Sequence, residues 1–165
     1  GTAMSAPAAG AGGMPAAFEV VLHPCPPGAT DGPVHVDPWG AWPTIVLPDG
    51  AAGCTTSVLF DDALARLDGL GRAFVEPDGA FVWVGPGGPE RWQVDGNAWE
   101  RDGRVHSVAA RGRCPIDDVC RFLAVWRGPD ERLAVEVVRA GIHLDEATFL
   151  RHAAARAAGS PPPRP

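Results

Sequence analysis

The chain has 165 residues, a formal net charge of −6, and 45% hydrophobic and 21% charged residues. A chain of this length buries about 70% of its unfolded surface, so it needs neither a metal nor a disulfide to fold. The negative charge argues against a nucleic-acid partner or an anionic membrane, because both require concentrated basic residues. All 14 basic residues are arginine and tyrosine is absent, which excludes a Schiff-base lysine and a tyrosine nucleophile.

The two ends of the chain have the composition of tails. Residues 1–16 are mostly Ala, Gly and Pro, with a cloning remnant ahead of Met4, and residues 157–165 are proline-rich. We therefore expect disordered tails around a single domain that spans residues 18–156. We find no basic flank followed by an apolar core, and no apolar run near the ~20 residues that cross a bilayer. These observations predict a cytoplasmic protein without a membrane partner.

The first half of the chain predicts two strands and one helix. Residues 18–22 (FEVVL) and residues 44–47 (TIVL) are strand-like. The segment between them, residues 23–43, contains six prolines and three glycines, which exclude a regular helix and favour a long irregular loop. Residues 61–70 predict a short helix, and residues 55–60 fit either a third strand or the first turn of that helix.

The second half predicts two hairpins, then a helix, a strand and a final helix. One hairpin joins residues 73–76 to 80–84 through a Pro-Asp-Gly turn, and the other joins residues 91–100 to 104–109 through Asp-Gly. Gly96 indicates a bulge or a break in the second hairpin. The elements that follow are a helix over 115–126 with a buried stripe, a strand over 133–139 and a helix that starts at Asp145; the stripe consists of Ile116, Val119, Cys120 and Leu123.

This element order predicts an α+β fold. Consecutive strands joined by tight turns form an antiparallel sheet, a meander of hairpins, and about three helices pack on one of its faces. No internal repeat is evident in the sequence.

The long loop carries potential metal ligands, namely His23, Cys25, Asp31, His35 and Asp37. Zinc binds imidazole and thiolate groups at tetrahedral geometry. One hypothesis is therefore a metal-dependent hydrolase that uses His23, Cys25, His35 and Asp37 of the 23–37 loop, with zinc as its cofactor. The competing interpretation is a proline-stiffened loop whose polar residues face water, with no cofactor.

The same loop carries two tryptophans, Trp39 and Trp42, on either side of Gly40. Aromatic residues interleaved with proline can present a docking surface for a peptide or a ligand. The competing interpretation is that both rings fold back over the sheet and cover apolar area.

A third candidate is the thiol of Cys114, which precedes Pro115 at the start of a predicted helix. The helix dipole lowers the pKa of a thiol in that position, which would suit a thiol-dependent enzyme. A cysteine at an element junction is otherwise a small packed hydrophobic residue. The glycine fingerprint of dinucleotide-binding folds, the two-histidine metalloprotease helix and the serine-hydrolase elbow are all absent from the sequence.

Three segments carry a resemblance to known sequences: residues 74–83 (FVEPDGAFVW), 92–96 (WQVDG) and 112–115 (GRCP). Together they resemble small hypothetical proteins of planctomycete-type, GC-rich bacteria, over roughly residues 59–150. The resemblance implies a recurrent bacterial domain without a known activity, and it transfers no functional residue.

The sequence thus favours a non-catalytic module that binds a protein or a small ligand through Trp39, Trp42 and an adjoining sheet face. The metal-dependent hydrolase is the first alternative and the thiol-dependent enzyme centred on Cys114 is the second.

Overall fold

The computed structural model describes residues 14–88 and 91–159. In this part of the chain nine strands form one sheet; they are β1 (Ala16–Pro24), β2 (Thr30–Asp37), β3 (Gly40–Val46), β4 (Ala73–Val75), β5 (Ala80–Val84), β6 (Gln93–Arg101), β7 (Arg104–Cys114), β8 (Leu133–Val137) and β9 (Ile142–Asp145). The helices are α1 (Phe60–Asp68), α2 (Ile116–Val125) and α3 (Glu146–Ala157), with a short 3-10 turn at Ala51–Gly53. The strand order across the sheet is β2-β3-β9-β8-β1-β7-β6-β5-β4, and the paired strands run antiparallel.

The helices cover one face of this sheet, which confirms the predicted α+β fold. Alternation in the central strand β1 buries Phe18, Val20 and Leu22 and turns the residues between them to the opposite side. Phe149 of α3 packs edge-on against Phe18, with ring centroids 6.5 Å apart. No helix of the described residues covers the opposite side, which carries Glu19, Val21 and His23 of β1, and we call it the helix-free face.

Local sequence signals explain several of these elements. The carboxylate of Asp145 accepts a hydrogen bond of 2.7 Å from the Thr148 amide and so caps α3 at the predicted residue. The turn between β6 and β7 has positive φ at Asp102 (52°) and Gly103 (79°), as a two-residue hairpin turn requires. The predicted hairpin around residues 77–79 is present as β4 and β5.

The predicted long loop is wrong, because most of residues 23–43 belongs to the β2–β3 hairpin. The hairpin register shifts between Asp31 and Val34, so Pro33 lies at an irregularity where a missing amide donor is tolerated. The strand β2 is also an edge strand of the sheet, where no strand of the described residues pairs with the outer side of its backbone.

Other predictions need smaller corrections. The strand β9 was not predicted. No break occurs at Gly96, since the register shift lies between Trp99 and Glu100. Glycine at position 96 instead allows close packing of β6 on β7: a Cβ there would lie 1.9 Å from the Ala109 carbonyl oxygen.

Helix α2 is rotated relative to the predicted stripe. Cys120 is exposed rather than buried, and the buried side of the helix is made by Val119, Phe122, Leu123 and Val125. The Phe122 ring stacks on Trp83 of β5 with centroids 5.9 Å apart. The helix therefore faces an aromatic surface of the sheet that the helical spacing alone does not identify.

The structure also tests the predictions for the segment before the first helix and for the two tails. Residues 56–58 run beside β7, where the Thr56 amide donates to the Val105 carbonyl and the Val105 amide to the Val58 carbonyl. Ala16 already belongs to β1 and Ala157 still belongs to α3, while most of both predicted tails lies outside the described residues. Of the helices in residues 14–88 and 91–159, none has the length and apolarity needed to cross a bilayer.

Candidate functional site

A cavity of about 570 Å³ lies where the β2–β3 turn meets one end of the sheet and the C-terminal part of α3. We call it the hairpin pocket. Its polar and aromatic lining consists of Phe18, Glu19, Asp95, Arg111 and Arg139 from the sheet and its turns, His35, Asp37 and Trp39 from the hairpin, and His152 and Arg156 from α3. Side chains from the β2–β3 hairpin, from the middle of the sheet and from α3 therefore meet at one cavity.

The carboxylate of Asp37 organises the hairpin end of this pocket. Its Oδ1 accepts hydrogen bonds from the Trp39 amide (2.9 Å) and from Trp42 Nε1 (3.0 Å), and its Oδ2 accepts one from His152 Nε2 (2.8 Å). Burial on its own raises the pKa of Asp37, but the hydrogen bonds from Trp42, His152 and Trp39 outweigh burial and hold that pKa below its ordinary value. Asp37 is therefore an ionised anchor between the hairpin and α3.

Two histidines flank this carboxylate. His152 Nε2 lies 2.8 Å from Asp37 Oδ2, and His35 Nε2 lies 3.8 Å from the same oxygen. We call His35, Asp37 and His152 the hairpin cluster. The His152 ring is buried and meets Trp42 edge-on at 4.9 Å between centroids. Within the described residues, His152 Nδ1 is buried without a hydrogen-bond partner.

The two tryptophans of the hairpin have different environments. Trp42 is buried, which matches the predicted covering role, and its indole supports Asp37. Trp39 is only partly buried and lines the pocket, with its Nε1 3.4 Å from the Gly159 carbonyl oxygen. The Arg156 guanidinium lies 5.9 Å from the Trp39 ring centroid and donates to the Ala17 carbonyl at 2.9 Å. Trp39 is thus the tryptophan of this pair that a ligand in the pocket can contact.

The helix-free face supplies two further arginines to the pocket. Arg111 of β7 lies opposite Glu19 on one side and opposite Asp95 on the other. Its side chain is 74% exposed and lies 3.9 Å from Asp95, while the Arg139 side chain is 90% exposed and lies 3.9 Å from Glu19. Exposed pairs of this length contribute little to stability, so both guanidinium groups can turn toward another anion.

A second group of potential ligands lies on the helix-free face. His23 of β1, Glu136 of β8 and His143 of β9 place one ligand atom each within 4.8 Å of the others. His23 Nε2 is 2.9 Å and His143 Nε2 is 3.9 Å from Glu136 Oε1. We call these residues the sheet-face cluster.

The predicted metal ligands do not form one site. His23 belongs to the sheet-face cluster, whereas His35 and Asp37 belong to the hairpin cluster. The sheet order explains this separation, since β1 is central and β2 is the outermost strand, with three strands between them. Cys25 follows the end of β1, and burial together with the nearby Asp145 carboxylate raises the pKa of its thiol. Nothing brings these four side chains together as the 23–37 hypothesis requires.

Cys114 is fully buried at the end of β7. Burial, with smaller contributions from Asp118 and Cys120, raises the pKa of its thiol far above the ordinary value. The expected lowering by the helix dipole is therefore wrong, and a protonated, covered thiol is a poor nucleophile. Any lowering of the thiol pKa by the nearby helix N-terminus is smaller than the increase caused by the loss of water around the sulfur.

Sequence reasoning missed most of the side chains that complete these sites, namely Arg111, Arg139, Arg156, His152, Glu136 and His143. His23 and Glu136 are 113 positions apart and His152 and Asp37 are 115 apart, so no local spacing links them. A usable signal was the histidine count, because four of the five histidines in the chain belong to the two clusters.

Comparison of the chain with protein-family models, with curated proteins and with solved structures found no match. The resemblance to hypothetical proteins of planctomycete-type bacteria stays a prediction.

Proposed function

We propose that this protein is a non-catalytic binding module whose hairpin pocket accepts an anionic group joined to an apolar or aromatic moiety. The carrier of that group is a small molecule or a segment of another protein. The observation that supports the proposal is the convergence of Trp39 with three arginines, Arg111, Arg139 and Arg156, on a cavity of about 570 Å³. Cavities of roughly 300–1,000 Å³ are typical of small-molecule sites.

Each part of the proposed ligand has a counterpart in the pocket. A carboxylate or phosphate accepts hydrogen bonds from guanidinium groups, often two at a time. Arg111 and Arg139 are available for this exchange because their present contacts with Asp95 and Glu19 are 3.9 Å long. The face of the partly buried Trp39 ring offers an apolar surface for the remainder of the ligand.

The charge of Asp37 does not oppose an anionic ligand strongly. Both of its oxygens already accept hydrogen bonds from Trp39, Trp42 and His152, and the positive ends of these donor groups partly offset the negative charge. From the sequence we further propose a bacterial, cytoplasmic protein whose partner is neither nucleic acid nor membrane.

The proposal is tested by screening isotope-labelled protein against a set of small aromatic carboxylates and phosphates by NMR. We expect a bound compound to shift the Trp39 indole signal of the wild-type protein. We expect Trp39→Ala and Arg139→Ala each to weaken the binding of that compound by about tenfold or more. Trp99→Ala and Arg132→Ala are matched controls, because both side chains are exposed and neither lines the pocket. Binding that persists in Trp39→Ala and Arg139→Ala would exclude this pocket.

A further inference from the structure

The sheet-face cluster comes from three strands that are direct neighbours in the sheet, in the order β9, β8 and β1. Glu136 is the middle residue, and His143 is its cross-strand partner. His23 lies one step diagonally away, since its own partner on β8 is Ala134 and Glu136 pairs with Val21. Cross-strand and diagonal neighbours on one face are within reach of long side chains. The backbone register therefore delivers two imidazoles and one carboxylate to the same place.

We propose that His23, Glu136 and His143 bind one divalent transition-metal ion, with zinc as the best match. The site is separate from the hairpin pocket, and the proposal does not depend on the function proposed for that pocket. Imidazole nitrogen and carboxylate oxygen are zinc ligands, whereas Ca²⁺ and Mg²⁺ prefer sets made of oxygen atoms.

The distances fit a metal centre after small side-chain rotations. With ligand bonds of about 2.0–2.1 Å, a tetrahedral zinc ion holds its ligand atoms about 3.4 Å apart. The two histidine-to-glutamate distances, 2.9 Å and 3.9 Å, lie on either side of that value. The His23 and His143 rings, with centroids 5.7 Å apart and an interplanar angle of 54°, need to approach each other slightly.

The three side chains are 26%, 34% and 31% exposed for His23, Glu136 and His143, so an ion can enter from solvent. Three protein ligands leave a fourth tetrahedral position for water or for a ligand atom, as in zinc sites that are not purely structural. Val21 and Ile45 occupy the neighbouring cross-strand positions, and their partly buried side chains limit the water around the cluster.

The test is a zinc titration of the full chain after removal of metal with a chelator, in competition with a chromophoric chelator. We expect one equivalent of Zn²⁺ to bind, and we expect His23→Gln and His143→Gln each to weaken binding by about tenfold or more. His106→Gln is the matched histidine control, because His106 belongs to neither cluster. Cys25→Ser tests a thiolate contribution and should leave the affinity unchanged.

Three results would overturn the proposal: the wild-type chain binds no stoichiometric zinc, both histidine variants keep wild-type affinity, or Cys25→Ser alone abolishes binding. Circular dichroism of each variant reports whether it folds. The wild-type chain loaded with Co²⁺ gives an independent measurement: the proposal requires tetrahedral d–d bands without thiolate charge-transfer bands. Octahedral or thiolate-type spectra would contradict it.

Discussion

The hairpin cluster and the sheet-face cluster have the same composition, two histidines around one carboxylate. They differ in how many hydrogen bonds the protein makes to the carboxylate and in how far the side chains are exposed to solvent. In the hairpin cluster both oxygens of Asp37 accept hydrogen bonds from protein donors, and the His152 side chain is only 7% exposed. In the sheet-face cluster both histidine contacts fall on one oxygen of Glu136, and the three side chains are 26–34% exposed. One carboxylate is saturated by the protein and the other is open to an added ligand.

This difference shows that residue types alone do not define a metal site. A carboxylate whose lone pairs are already used by buried indole, amide and imidazole groups holds elements together, and removing it leaves those donors without partners. A carboxylate at a partly exposed position costs little to redirect toward a cation. Substitutions in the hairpin cluster should therefore lower stability, whereas substitutions in the sheet-face cluster should mainly remove zinc binding.

The largest expected effect is that of Trp42→Ala. Trp42 is buried, packs on His152 and donates to Asp37, so its removal should lower the free energy of unfolding by about 3–5 kcal/mol. Trp39→Ala is the matched comparison at the same turn and should cost much less, since Trp39 is only partly buried. Urea unfolding followed by circular dichroism measures both changes, and equal losses would contradict the assigned difference between the two rings.

Asp37→Ala should be the next most damaging change. It leaves the Trp39 amide, the Trp42 indole and His152 without their acceptor, and we expect a loss of about 2–4 kcal/mol. Asp31→Ala is the control on the same strand, where the side chain is exposed. Denaturant unfolding of the two variants compares them directly; a loss below that of Asp31→Ala would show that Asp37 is not an anchor.

The contribution of Asp37 to stability should depend on pH in a defined direction. Because the pKa of Asp37 is lower in the folded chain than its ordinary value of about 3.9, the contribution is complete above about pH 4 and is lost as the pH falls toward the folded pKa. We expect the difference in unfolding free energy between wild type and Asp37→Asn to shrink below pH 4.

His35 and His152, which face Asp37, are present in both of these proteins. Glu131, whose pKa is raised by burial but lowered overall by hydrogen bonds from Gly128 and Ser57, is also common to both. The contribution of Glu131 therefore cancels, and the difference reports Asp37 together with its contacts to His35 and His152. Denaturant unfolding of both proteins at several pH values gives the comparison. If the difference in unfolding free energy between wild type and Asp37→Asn grew as the pH fell, the lowered pKa of Asp37 would be contradicted.

The smallest expected effect on stability is that of Glu136→Gln. The side chain is one-third exposed and its contacts are surface contacts, so the free energy of unfolding should change by less than about 1 kcal/mol in metal-free protein. The same variant should lose zinc binding, because an amide oxygen is a poorer zinc ligand than a carboxylate. If Glu136→Gln lowered the free energy of unfolding of the metal-free protein by several kcal/mol, Glu136 would hold the fold together as Asp37 does.

The sequence was sufficient for the elements that local chemistry determines. The Asp145 cap, the Asp-Gly turn before β7 and the Pro-Asp-Gly turn before β5 are all visible in short windows, and they predict the α+β class. The β2–β3 hairpin was missed because Pro33 and Pro43 suggest a loop, whereas an irregular register and an edge position allow proline in a strand.

The sites depend on pairings over long sequence separations. His23 meets Glu136 only because β1 inserts between β8 and β7, and that order is set by packing over the whole sheet rather than by any spacing. His143 lies on β9, a strand of four residues whose pattern is too short to predict. His35 and Asp37 were named together as candidate ligands because they lie two positions apart in the predicted loop, but their partner His152 belongs to the last helix.

The most direct test of the contrast between the two clusters is a long-range proton–nitrogen NMR spectrum of the histidine rings during addition of one equivalent of Zn²⁺. We expect saturable shifts of the Nε2 signals of His23 and His143, with the signals of His35 and His152 unchanged. Shifts confined to His35 and His152, or the absence of any saturable shift at His23 and His143, would contradict the proposed zinc site.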